Sequence, residues 1–94
     1  MLPNRFVLDV ATDPVDPLIG YAVMAGFDQN TPTTPGHVFQ VKCTVNCASF
    51  VWRDVSGNLP NIPVNSVIVN PHRPTQVFAG SDWGLYYTDN VEAN

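Results

Sequence analysis

VNSVIVNPHRPTQVFA, residues 64–79, decides the fold, because VLDVATDPVDPLIGYA, residues 7–22, follows the same plan 57 positions earlier (64 minus 7). At that offset Val7 meets Val64, Val10 meets Val67, and Asp13-Pro14 meets Asn70-Pro71. Pro17 then meets Pro74, and Tyr21-Ala22 meets Phe78-Ala79, without a gap. The shared unit is a β-branched strand, an Asx-Pro turn, a second proline three residues on, and an aromatic-Ala strand. An Asx side chain beside proline can cap the backbone of its own turn, so the second strand returns antiparallel to the first. Chance matches between apolar residues are common in a Val-rich chain; the shared spacing of both prolines is not.

Working outward, short apolar runs alternate with turn formers. Phe6-Val7-Leu8 with Val10-Ala11 is a first expected strand and residues 19–25 a second. A loop over 28–35, with Pro32 and Pro35, leads to a third strand at 36–42 and a fourth at 49–55. Residues 57–63, with Pro60 and Pro63, form an extended connector. Strands five to seven fall at 64–69, 77–80 and 85–88, and the tail is expected to fray from Asn90. Nine prolines and six glycines leave no breaker-free stretch for a capped helix. The expectation is an all-β single domain over residues 1–94, with repeat units at about 5–56 and 64–90 joined by the 57–63 connector. Four antiparallel strands in the first unit and three in the second match the blades of a β-propeller. The offset exceeds the usual blade of about 40–45 residues, and the 28–35 loop and the connector account for the excess.

Composition narrows the function classes. The 94 residues carry four Lys+Arg against eight Asp+Glu, a formal charge of -4, and the basic residues Arg5, Lys42, Arg53 and Arg73 are scattered. That pattern argues against a nucleic-acid footprint and against adsorption to an anionic membrane. No window reaches the length of a transmembrane helix, and MLPNRFVLDVATDP lacks the plan of a signal peptide. The compartment stays open.

Cys43 and Cys47 sit in KCTVNCASF, where Thr44-Val45-Asn46 permits the backbone to fold back between them. A local disulfide is the favoured reading; reduced, partly buried thiols and a metal site are the alternatives. His37 and His72 stand at no standard finger spacing from the cysteines, so no metal site and no cofactor are expected.

From Trp52 to Asp89 the chain resembles the BNR/Asp-box group of β-propeller repeats, which includes sialidase-like and sortilin-like propellers. The resemblance rests on WRDVSGNLPNIPVNSVIVNP followed by QVFAGSDWGLYYTDN. In such repeats a Trp closes one blade, here Trp52. A connector then leads to a strand ending in Asx-Pro, an aromatic-Ala-Gly strand, and a Gly-aromatic strand entering the Asp box. The sequence departs from that pattern at the box itself. Thr88-Asp89-Asn90 is at most its opening, and residues 42–47, with both cysteines, stand in its place in the first unit. The resemblance implies that a covalent link substitutes there for the box's hydrogen bonds. It implies a repeat architecture and no particular function.

A glycosidase needs a pair of carboxylates across a cleft, whereas the resemblance to sialidases would imply an arginine cluster and a tyrosine nucleophile with an acidic partner. The arginines are scattered, Tyr86 and Tyr87 alternate across a strand, and Asp13 and Asp16 are turn formers. His72 with Arg73 and Asp54 shows no triad logic from spacing. No catalytic residue is therefore assigned. Phe27, beside the long loop, and Trp83, in a turn between Asp82 and Gly84, are candidate interface or ligand contacts, as are Tyr86 and Tyr87. The leading expectation is a non-enzymatic structural or binding module of two blades that assembles with copies of itself, a neighbour supplying the missing eighth strand. A protein or carbohydrate ligand is the expected further partner. The alternative is an inert segment of a secreted glycoside hydrolase whose active residues lie in other blades.

Overall fold

The computed structural model describes residues 4–27, 31, 35–44 and 47–93. Asp28, Pro32, Val45 and Asn46, which the sequence assigns to the long loop and the inter-cysteine turn, lie outside them. Strands β1 (Val7–Thr12), β2 (Ile19–Met24), β3 (Val38–Cys43) and β4 (Phe50–Asp54) form one antiparallel sheet in the order β1-β2-β3-β4. Strands β5 (Ser66–Val69), β6 (Val77–Ser81) and β7 (Gly84–Thr88) form a second, in the order β5-β6-β7. The fold is all-β, with seven strands and no α-helix among the described residues.

The corners explain the strands. Asp13 Oδ1 accepts from Val15 N at 2.8 Å and Asp16 N at 2.9 Å, while Asp13 N donates to Ile19 O at 2.9 Å. The second corner repeats this plan: Asn70 Oδ1 accepts from His72 N at 2.9 Å and Asn70 N donates to Gln76 O at 3.0 Å. The Ile19 N to Asp16 O bond (3.2 Å) likewise matches Gln76 N to Arg73 O (2.9 Å). These Asx turns fix the register that follows. The pairs Asp9↔Val23, Val10↔Ala22, Ala11↔Tyr21 and Thr12↔Gly20 recur 57 positions on as Ser66↔Gly80, Val67↔Ala79, Ile68↔Phe78 and Val69↔Val77. In the β6–β7 hairpin, Ser81 pairs with Gly84 across the two-residue turn Asp82-Trp83. Gly84 there takes φ +147°, where a side chain would be strained.

The sheets stack face to face. Tyr21, Val23 and Val38 meet Val67, Val69, Val77 and Ala79, and Val55, Ile62, Val64 and Val91 fill the margins. Valine suits this space because its stiff, branched side chain packs on a pleated surface. The connector is thus part of the core, since Ile62 and Val64 are buried within it. Asp9 interrupts the apolar run of β1 at a register shift. Its Oδ1 accepts from Val10 N at 2.9 Å, and its Oδ2 accepts from Val67 N of β5 at 3.1 Å. The carboxylate therefore satisfies a backbone donor on the edge of the other sheet.

The expectation of a frayed tail is wrong. Residues Val91–Ala93 form a short 3-10 helix after Asn90, whose Oδ1 accepts from Glu92 N at 3.2 Å as an N-cap does. Val91 is buried and its N donates to Thr75 O at 2.9 Å. Burying one valine and anchoring Glu92 outweighs the entropy the tail would otherwise keep.

Replacing Asp9 tests the join between the sheets. Asp9→Ala orphans the Val67 N–H and is expected to lower unfolding free energy by about 1–3 kcal/mol in urea titration. Asp9→Asn, which keeps a carbonyl acceptor, should recover most of that loss.

Candidate functional site

The pleat gives each sheet two faces, and the stack covers only one of each. On the second sheet the uncovered face carries Ile68, Phe78, Leu85 and Tyr87, with Gly80 and Ser66 between them. Ile68 is 63% exposed, Leu85 69% and Tyr87 65%. Phe78 and Tyr87 stack across strands with ring centroids 5.8 Å apart. No charged residue lies on this face of β5, β6 or β7. Tyr86, opposite Ala79, is on the covered side, so the two adjacent tyrosines part company. On the first sheet the uncovered face presents Val10, Thr12, Val41, Trp52 and Phe50, Val10 being 68% and Phe50 60% exposed. Its other end is closed over Phe39 and Ala22 by the chain around Gly36. A Cβ on Gly36 would lie 2.9 Å from the Phe39 ring and 2.6 Å from Asp54 Oδ2, and its φ of +112° also favours glycine. Arg5 holds that chain by donating to the carbonyls of Gly36 and Ala25.

Phe27 and Trp83, singled out separately in the sequence, line one cleft of about 140 Å³ with Ile62, Pro63, Ser81 and Asp82. Trp83 is 71% exposed. Its N donates to Ser81 Oγ at 3.2 Å, and Ser81 Oγ donates to Gly84 O at 3.1 Å. Asp82 Oδ1 accepts from Asn65 Nδ2 at 2.7 Å. Small-molecule pockets run from about 300 Å³ upward. This cleft is below that range and matches a single inserted side chain.

The described acids are engaged in holding backbone and neighbours. Asp54 Oδ1 accepts from Ser56 N at 2.9 Å, and Asp89 Oδ1 from Gln76 Nε2 at 2.8 Å. Asp9, Asp13, Asp16 and Asp82 have the roles given above, Asp16 Oδ1 also accepting from Leu18 N at 3.0 Å. Glu92 is the hub that sequence reasoning missed. Its Oε1 accepts from Gln40 Nε2 at 2.9 Å, and its Oε2 faces Lys42 Nζ at 3.1 Å and Arg53 Nη1 at 3.4 Å. Arg53 Nη2 also donates to the Glu92 carbonyl at 2.7 Å, and Gln40 Nε2 reaches Tyr21 OH at 3.0 Å. The Asn90-Val91 cap signal could have revealed the turn, but the ligands of Glu92 lie 39 to 52 residues upstream. The Gln40 hydrogen bond above all holds the Glu92 carboxyl below its ordinary value; burial opposes it, and Lys42 and Arg53 lower it further. Burial pushes the Tyr21 hydroxyl up, with the Gln40 bond opposing.

Cys43 and Cys47 are joined by a disulfide with Cα atoms 4.8 Å apart, at the far end of the β3–β4 hairpin. Cys47 takes a positive φ of 51°, and its N donates to Thr44 O at 2.6 Å. His37 is buried, with Nε2 3.1 Å from Asn61 Oδ1, and its backbone N donates to Ser56 Oγ at 2.9 Å. His72 is exposed in its corner, away from Asp54 on β4. Among the described residues no three His, Cys, Asp or Glu side chains lie close enough together to hold a metal ion. Comparison of the chain with protein-family models, with curated proteins and with solved structures finds no match.

Two measurements follow from this geometry. Because its pKa is depressed, the Glu92 contribution is present above the unfolded glutamate value, about 4.3, and is lost as pH falls through the folded value. Glu92→Gln should lower stability at pH 7 by no more than about 1 kcal/mol, since the pairs are exposed. It should also flatten the loss of stability below about pH 5. Replacing both cysteines by serine closes no loop in the unfolded chain, and is expected to cost about 2 kcal/mol in urea titration.

Proposed function

We propose that the chain is a non-catalytic structural and binding module of β-propeller type, a pair of blades that assembles with copies of itself. The observation that carries this reading is the pair of uncovered apolar sheet faces on opposite sides of one stack. Contiguous apolar surface of that kind is a mark of association. Coincident registers and corners at the 57-residue offset support treating the two sheets as copies of one unit. The meeting of β1 with β5 through Asp9 supports their placement as neighbouring inner strands. Propellers hold about 4–8 blades, and a ring of three or four two-blade chains falls within that range. In such a ring the open edge of β7 would receive its fourth strand from a neighbour, and the Phe27–Trp83 cleft would receive a side chain of a partner protein.

The engagement of the described acids in turns, hydrogen bonds and the Glu92 cluster favours this reading over hydrolysis. Light scattering coupled to gel filtration tests it. The expected mass is a multiple of 10.3 kDa that rises with loading concentration. A 10.3 kDa species at every concentration would overturn the assembly. Glycosidase turnover abolished by Asp9→Asn or Asp82→Asn would overturn the non-catalytic role.

A further inference from the structure

Stacked sheets can meet front to front or front to back, and the register decides between these. On the first sheet the covered face bears Asp9, Ala11, Tyr21 and Val23. Their counterparts 57 positions on are Ser66, Ile68, Phe78 and Gly80, which lie on the uncovered face of the second sheet. Conversely, the covered face of the second sheet bears Val67, Val69, Val77 and Ala79. Their counterparts are Val10, Thr12, Gly20 and Ala22, on the opposite side of the first, where Val10 and Thr12 are exposed and Ala22 is buried. The third strands agree. Gln40 opposite Tyr21 on the covered face corresponds by pairing to Tyr87 opposite Phe78 on the uncovered one. The internal joint is therefore front to back, and the chain carries a free front and, around Val10 and Thr12, the open part of a back of the same joint.

We infer that a second copy of this chain docks head to tail, its uncovered β1–β4 face seating on the uncovered β5–β7 face of the first, in the manner of the internal sheet–sheet joint. This inference rests on the self-assembly proposed above and specifies its geometry. The occupant is a second copy because the surface on the β5–β7 side corresponds, position by position, to one that the same chain already covers with its own next sheet. Such a contact is heterologous: residues on the two partners differ, and addition continues until a ring closes or a filament grows. A two-fold dimer would instead bury two fronts or two backs together, a joint for which the chain contains no precedent.

The discriminating experiment places a charge on one face at a time. Val10→Asp spoils the β1–β4 face and Ile68→Asp the β5–β7 face. Both positions are exposed, and Phe50→Asp with Leu85→Asp form a second pair should either first variant fail to melt cooperatively. By sedimentation velocity the wild type is expected to assemble, and each folded variant alone to remain a single chain. An equimolar mixture should form a complex of two chains and go no further, because it contains one sound joint and one with an aspartate on both sides. If the wild type assembles but one variant alone still dimerises, or the mixture stays monomeric, the head-to-tail geometry is overturned while self-assembly stands. If both variants still assemble as the wild type does, neither face is the joint and the inference fails. A wild type that remains monomeric throughout removes the inference together with the assembly on which it rests.

Discussion

An antiparallel sheet has two faces, and a stack of two sheets can bury only one of each. That constraint governs this chain. Its valine-rich core lies between the sheets, where Val23, Val38, Val64 and Val67 are almost sealed from solvent, and on the far face of the first sheet the end with Ala22, Met24 and Phe39 is buried by the chain around Gly36. The same alternation that sends Val67 and Val69 inward must send Ile68 outward. Were the outward residues polar, the stack would be self-sufficient. Instead they include Ile68, Phe78, Leu85 and Tyr87 on one side and Val10, Val41, Trp52 and Phe50 on the other, with Ser66, Thr12 and Asp54 as the polar members.

The remaining features serve that stack. Asx turns at Asp13 and Asn70 set the registers, and Asp9 ties the inner edge strands together. The 3-10 turn brings Glu92 back onto Gln40, Lys42 and Arg53, closing the side of the joint with charge-assisted bonds. The disulfide secures the β3–β4 hairpin, beginning one residue beyond Lys42. Each device is local, and each positions a face rather than a reaction centre.

Much of this was legible in the sequence, for physical reasons. Period-two alternation and Asx-Pro corners are local signals, and they place all seven strands within about two residues of their observed bounds. The even spacing of the two prolines after Asp13 and Asn70 carries the matching registers. The contacts of Glu92 were not legible, because Gln40 is 52 positions away and no local pattern names a distant partner. Asp9 stood out as an acid in an apolar run, yet its acceptor role depends on Val67, 58 positions on. Phe27 and Trp83 were visible singly; only the fold makes them walls of one cleft. The order of the tail from Asn90 was not legible from its terminal position, because it depends on the burial of Val91.

In a head-to-tail assembly both uncovered faces become covered together, by each other. Hydroxyl-radical footprinting across a range of protein concentrations tests it at the side chains themselves. Ile68, Leu85 and Tyr87 are expected to lose reactivity in step with Val10 and Phe50 as concentration rises, while exposed Val15 in the first corner keeps its own. Protection of one face alone, or undiminished labelling of both at the highest concentration, would contradict it.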